Sequence, residues 1–296
     1  MRERPVWMEQ PTVAGNALKA AVLIVITLLV VLPFVSIIAT SLASQKEIAG
    51  AGGLVLIPLH PTLGAYGTIF QGGVVTRAIV VSGGVTLVGT AASLVVTAML
   101  AYALSRPGTV GARPVLLLAL FTLLFTPGII PQYLMVKQLG LLNSYAALIA
   151  PLLISTFNMI VLRSFFMSIP RELIDSARMD GAGDVEILTR IVLPLSKAVL
   201  AVIALFTAVG YWNAFFQALL YLNDSSMWPL QLVVRQYVLG GAIVPGSEIA
   251  SEGGLPPPAQ SLQMAIVVLA TVPILLIYPF LQRYFTRGVL TGAIKG

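Results

Sequence analysis

The sequence predicts an all-α, polytopic membrane protein with six transmembrane helices, and three observations carry that prediction. Charged residues make up 9% of the chain and apolar ones 58%, against about 25% and 45–50% in an ordinary soluble domain. The mean hydropathy is +0.96. Six windows free of Asp, Glu, Lys and Arg are each long enough to supply the ~20 residues a helix needs to cross about 30 Å of hydrocarbon.

In chain order these windows are Ala20–Gln45, Ala78–Ser105, Pro114–Val136, Gln138–Leu162, Ala198–Asn223 and Gly253–Gln282. Arg2 and Arg4 precede the first in the manner of a secretory signal. Its apolar run is about twice the length of a signal core, so a retained helix is expected. A further charge-poor stretch, Ile48–Thr76, holds Gly50, Gly52, Gly53, Pro58, Pro61, Gly64, Gly67, Gly72 and Gly73. Lipid cannot satisfy the backbone groups such residues free, so it reads as a loop outside the bilayer. The stretch Asp224–Gln260, with Pro256-Pro257-Pro258, reads as a second outer loop of turns or a re-entrant segment.

Orientation follows from the basic residues. With both termini cytoplasmic, only Lys46, Arg77, Lys137 and Arg235 of the 17 Lys and Arg residues fall outside. That asymmetry is the positive-inside bias of a multi-pass plasma-membrane protein. It also accounts for the net charge of +6 without nucleic acid, for which no basic stripe with interleaved aromatics is present. The expected organisation is a cytoplasmic N-terminus (1–19), one six-helix membrane domain (20–287) and a cytoplasmic tail (288–296).

The longest inner loop, Arg163–Lys197, is dense in both charge signs. Pro170 suits a first helical turn, and Leu173, Ile174 and Ala177 make an apolar stripe at helical spacing. Glu172, Asp175, Arg178 and Asp180 occupy the rest of the circumference. Gly181 offers the left-handed conformation that ends a helix. Asp184 is placed to cap a second short helix, and Pro194 to break it into the next span. The expected product is a two-part elbow over 168–194 at the membrane surface. A helix of about eleven residues is marginal alone, so its stripe needs something to pack on. Ser176, Ala177, Gly181 and Ala182 leave a surface that another protein can approach closely.

Asp175-Ser176-Ala177, three residues, Gly181, nine residues, then Ile191-Val192-Leu193-Pro194 resembles the EAA loop of ATP-binding-cassette importer permeases. Asp175 and Ser176 stand where Glu and Ala are usual, and Ala198 where a second proline is common. Trp212-Asn213-Ala214-Phe215-Phe216 and the ending from Gln282 to Gly296 resemble carbohydrate permeases of the maltose-permease type, particularly those for oligosaccharides and fragments of pectin or alginate. The resemblance implies a type I importer fold and a coupling helix seated in an ATPase cleft through Glu172, Asp175, Ser176, Ala177, Asp180, Gly181 and Ala182. It also implies a second homologous permease, two ATPase subunits and an extracytoplasmic sugar-binding protein.

No cofactor is expected on this chain. None of its five lysines follows a glycine, so it lacks a phosphate loop, and ATP and Mg belong to the ATPase partner. There is no cysteine, and His60, the single histidine, lies in an outer loop. No acidic residue lies mid-span, which weighs against an ion-coupled carrier. A permease for a non-sugar solute is the nearer alternative. Sugars are held by amides, acids and aromatic faces, so Asn158, Trp212, Asn213 and Gln217 are the path candidates. Asn213 and Gln217 are expected on one helix face. Tyr133, Lys137 and Arg235 lie near the outer rim, where the cations could attract an acidic sugar.

Overall fold

The computed structural model describes residues 12–71, 73–240 and 259–293. It is helical, with no strand among the described residues. These residues form two compact units, 12–71 with 259–268 and 73–240 with 269–293.

In the first unit, α1 (Val13–Leu42) is capped by Thr12, whose Oγ1 accepts the Gly15 amide at 3.1 Å. From Val22 to Val35 it is exposed on all sides and apolar apart from Thr27, a circumference suited only to lipid. Its C-terminal end changes character. Ser36, Ala39, Thr40 and Ser41 are buried, and Thr40 Oγ1 accepts the Val55 amide at 2.9 Å. The Ser36 and Thr40 hydroxyls donate to the Val55 carbonyl, each at 3.3 Å. Ser41 and Tyr66 share a hydrogen bond of 2.8 Å.

The Gly/Pro-rich stretch is therefore ordered, and it is not all turn. It holds α2 (Gln45–Gly50) and α3 (Gly64–Gln71). Ser44-x-x-Glu47 is a capping box, a start signal that the surrounding glycines obscure. The Glu47 carboxylate accepts the Ser44 amide at 3.0 Å and the His60 amide at 2.8 Å, so it ties the start of the loop to its middle.

In the second unit, α4 (Val74–Ser105) is a continuous helix of 32 residues. The next three windows are interrupted. The third divides into α5 (Ala112–Leu124) and α6 (Ile129–Gln138) around Pro127. The fourth does not start at Gln138: Gly140 and Asn143 take left-handed conformations, φ +68° and +56°. Helix begins with α7 (Ala146–Ile149), tightens through Ala150–Leu152, and turns 51° into α8 (Thr156–Met167). The elbow comes next as α9 (Arg171–Met179), α10 (Asp184–Ile187), a π turn (Leu188–Val192) and α11 (Leu193–Leu195). The fifth window is α12 (Lys197–Trp212) and α13 (Phe215–Tyr221), broken at Asn213-Ala214.

Beyond it come a 3₁₀ turn (Ser225–Met227), α14 (Leu230–Val234) and a π turn (Arg235–Leu239). α15 (Ala259–Ala293) runs without a break through the described part of the sixth window and continues through most of the expected tail. Val13–Leu42, Val74–Ser105 and Ala259–Ile277 are each long and apolar enough to cross a bilayer. The interrupted windows place irregular backbone at depths where it must be buried in protein or line a cavity. Residues 1–11, 241–258 and 294–296, which hold most of the expected cytoplasmic N-terminus, most of the expected second outer loop and the end of the expected tail, lie outside the described residues.

Helices α4, α8 and α12 pack together, and the α4–α12 contact is close. A Cβ on Gly89 would stand 2.8 Å from the Tyr211 ring. The Tyr211 hydroxyl shares a hydrogen bond with Ser93 at 2.9 Å and donates to the Ile149 carbonyl at 3.2 Å.

Candidate functional site

The elbow begins where Pro170 ends the chain's run out of α8. Glu172 sits in the first turn of α9 and Arg178 in the last, each of the sign that the helix dipole favours. Only part of the expected stripe turns inward. Ile174 is buried and Ala177 half-buried, whereas Leu173 is 45% exposed. Successive helical residues lie about 100° apart, and α9 buries a face too narrow for both Leu173 and Ile174.

The helix stops in a Schellman turn. Gly181 has φ +86°, the Ala182 amide reaches the Ala177 carbonyl at 2.9 Å, and the Gly181 amide reaches Arg178 at 3.0 Å. Asp184 does not cap α10. Gly183 is the capping residue, and the Asp184 carboxylate is drawn elsewhere. It accepts from Arg178 Nη2 at 3.2 Å and from the Tyr102 hydroxyl at 3.4 Å. Tyr102 in turn accepts from Arg106, whose guanidinium lies 4.3 Å above its ring. Pro194 does not break the helix either. The π turn Leu188–Val192 precedes it, α11 runs through it, and the 85° turn into α12 comes at Ser196.

Underneath, Ile174, Ile187, Leu188 and Val192 pack with Ala101, Tyr102, Leu104, Leu162 and Phe166. Arg163 Nε donates to the Leu104 carbonyl at 2.8 Å. The elbow's inner face is thus fastened to the ends of α4 and α8 by apolar contact and by a chain of charge-assisted bonds. Its outer face is different. Glu172, Asp175, Ser176, Asp180 and Gly181 are exposed, and among the described residues the three carboxylates hold no ion pair. Met179 and Val185 are 84% and 76% exposed beside them. Ala177 and Ala182, expected at a partner contact, instead lie half-buried against the inner cluster.

The path candidates separate into three settings. Asn158, in α8, lines a cavity of about 390 Å³ with Ser93, Thr97, Ser155, Thr207 and Tyr211, and its Nδ2 is 3.5 Å from Thr207 Oγ1. Hydroxyls and an amide around such a volume can exchange hydrogen bonds with a polyhydroxyl solute or with water. Trp212 is buried, and its indole N–H is engaged by the Ala270 carbonyl at 3.0 Å, a helix-to-helix bond. Asn213 and Gln217 do not share one continuous helix. The Phe215 amide bonds back to the Asn213 carbonyl at 2.8 Å with Ala214 at φ −76°, ψ 65°, an inverse γ-turn. Asn213 Oδ1 instead meets Gln231 Nε2 at 3.4 Å.

Sequence reasoning misses the roles of Tyr102, Arg106 and Arg163, which in the sequence are only an aromatic and two inner charges. Arg106 and Arg163 do carry a signal, because each stands at the very end of an apolar window.

The whole chain has relatives. Residues 6–291 match the family described as binding-protein-dependent transport system inner membrane component. The polygalacturonan/rhamnogalacturonan transport system permease protein YtcP of Bacillus subtilis (strain 168) is 45% identical over 274 residues, 93% of this chain and 96% of that protein. Protein LplC of the same organism is 45% identical over 266 residues, 90% of each. The sn-glycerol-3-phosphate transport system permease protein UgpE of Yersinia enterocolitica is 33% identical over 162 residues, 55% of this chain and 53% of that one. A chain in a crystal structure of a bacterial ABC transporter for import of the acidic polysaccharide alginate superimposes with a TM-score of 0.87 at 28% identity, covering 95% of this chain and 100% of that one. With its all-helical fold, its membrane-length apolar helices and its surface elbow, this chain belongs to the binding-protein-dependent transport system inner membrane components, the permease subunits of ABC importers.

Proposed function

We propose that this chain forms one half of the translocation pathway of an ATP-driven oligosaccharide importer in a prokaryotic plasma membrane. It spans the bilayer six times with both termini cytoplasmic. It pairs with a second, homologous permease, two ATPase subunits that bind ATP and Mg, and an extracytoplasmic binding protein that delivers the sugar. ATPase closure moves the elbow, and the helices attached to it alternate between outward and inward access. Asn158, Asn213 and Gln217 are retained as path residues, whereas Trp212 acts by holding α12 to α15.

The observation that carries this reading is the two-faced elbow. Its inner face is bonded to the permease. Its outer face holds Glu172, Asp175 and Asp180, without an ion pair among the described residues, beside exposed Leu173 and Met179. A charged and apolar surface of that kind fits a protein cleft better than water. Import of a polyol phosphate is the second reading. It rests on the likeness to UgpE over 162 residues, against 274 for the polygalacturonan relative.

The natural absence of cysteine makes the test direct. Ser176→Cys should crosslink to a cysteine placed in the ATPase subunit of the assembled transporter, with a yield that changes when ATP is bound. No capture of an ATPase in either nucleotide state would overturn the reading. Uptake that follows an ion gradient in the absence of ATP would do the same.

A further inference from the structure

At the end of α12 away from the elbow, one surface patch joins the chemistry of sugar recognition to a positive charge. Phe215 and Phe216 open α13 and remain 38% and 39% exposed, with their rings edge to face at 6.2 Å. The guanidinium of Arg235, at the start of the π turn after α14, stands 5.6 Å from the Phe215 ring centre. Asn213 and Gln231 meet beside it at 3.4 Å. That bond uses the Asn213 oxygen and one Gln231 N–H, leaving the Asn213 amide group and the Gln231 oxygen for another partner. Arg235 is exposed, and among the described residues no carboxylate pairs with it.

We infer that this patch is a subsite for an acidic oligosaccharide, in which Arg235 takes a uronic carboxylate while Asn213, Gln231 and the two phenyl rings take the pyranose. This deepens the importer reading and rests on it. Each component has a separate reason. A planar guanidinium pairs with a carboxylate through two parallel hydrogen bonds, which an ammonium cannot match. Paired amides offer both donor and acceptor to vicinal hydroxyls, and an aromatic face accepts the apolar face of a sugar ring. A lipid phosphate at the membrane rim would need the cation alone. It would not account for the two amides and two exposed rings gathered around it. The patch also lies on the helix break of the fifth window, where the γ-turn at Ala214 separates Asn213 from the first turn of α13.

The test uses the assembled transporter with its binding protein in proteoliposomes, and trigalacturonate and a neutral trisaccharide as probes. Arg235→Gln should lower ATP-driven trigalacturonate uptake about tenfold, the worth of one charge-assisted hydrogen bond. Arg235→Lys should recover only part of it. The loss should be selective, with uptake of the neutral trisaccharide falling far less than uptake of trigalacturonate, a split that a merely structural role for Arg235 would not produce. Unchanged uptake by Arg235→Gln overturns the subsite and leaves the importer reading standing. Equal loss of uptake for both sugars also overturns it, since that is the behaviour of a packing residue. A wild type that carries the neutral sugar and not trigalacturonate removes the acidic class alone. A wild type that carries neither with ATP removes the importer reading as well.

Discussion

The two ends of the second unit are built on opposite plans. At the elbow end, short helices are joined rigidly. A Schellman turn, an apolar cluster from six elements and the run Arg106–Tyr102–Asp184–Arg178 leave the segment 171–195 little freedom relative to α4 and α8. At the far end, the long windows are cut into α6, α7 and α13, whose Val136, Ala147, Leu148, Ala218 and Tyr221 share an apolar cluster, and single bonds such as the Leu230 amide to Ser82 Oγ at 2.7 Å join the breaks. Asn143 Oδ1 accepts the amides of Asn223 and Asp224, both at 3.1 Å. In the proposed cycle, force applied at the elbow reaches α4 and α12 as a unit, and the helix breaks at the far end serve as the joints. Handle and hinge occupy opposite ends of the same helices.

The comparison breaks most severely at the contact between α4 and α12, which both ends share. Gly89→Leu drives a side chain into the Tyr211 ring, where even a Cβ stands at 2.8 Å. Overpacking of this kind costs about 1–3 kcal/mol or more. A fall in the thermal midpoint of the detergent-purified transporter, together with lost uptake, is the expected result. A midpoint equal to wild type would mean that the two helices are not tightly apposed.

Gly181 tests the rigidity of the handle. Nothing lies within 4 Å of an added Cβ there, so the cost of Gly181→Val is conformational, about 1–2 kcal/mol for a left-handed L residue. Gly181→Asn adopts that conformation readily and should retain most uptake. Comparable loss in both variants would place the effect in a partner's cleft and not in the turn. A smaller effect belongs to the polar chain beneath. A double-mutant cycle of Tyr102→Phe with Asp184→Asn should give a coupling of about 0.5–1 kcal/mol in stability, modest because Asp184 is solvent-facing. Strict additivity would show that the elbow is held by its apolar contacts alone.

The elbow was legible because its signals are local. Pro170, Gly181 and alternating charge mark a short helix and its stop within a dozen residues. The bond from Tyr102 to Asp184 was not legible, since Tyr102 lies 82 residues away and a carboxylate before a helix reads as a cap. The breaks in the windows divide in the same way. Pro127-Gly128 announces the third in the sequence. The fifth falls at Asn213-Ala214, where neither residue is a breaker and tertiary contacts decide. Hydropathy detects membrane depth, and depth is the same for a straight helix and a cut one. Arg235 beside Phe215 was illegible for a similar reason, being brought there by a chain reversal.

The smallest expected effect sharpens the contrast from the other unit, where a hinge-like loop is held by one carboxylate. Hydrogen bonding, foremost from the Ser44 amide and then from the His60 amide and the Ser44 hydroxyl, holds the Glu47 carboxyl below its ordinary pKa of 4.5 against the opposing effect of desolvation. A depressed folded pKa means that the carboxylate stabilises the loop fully above its unfolded value. That contribution is lost as the pH falls through the folded one. Glu47→Gln keeps one acceptor and loses the second, so it should lower the thermal midpoint slightly at neutral pH. The difference from wild type should shrink as the pH drops below about 4.5, where protonation removes the same acceptor from both proteins. A difference that is constant with pH would show that shape, and not charge, ties Ser44 to His60. The loop would then resemble the elbow in being fastened by packing.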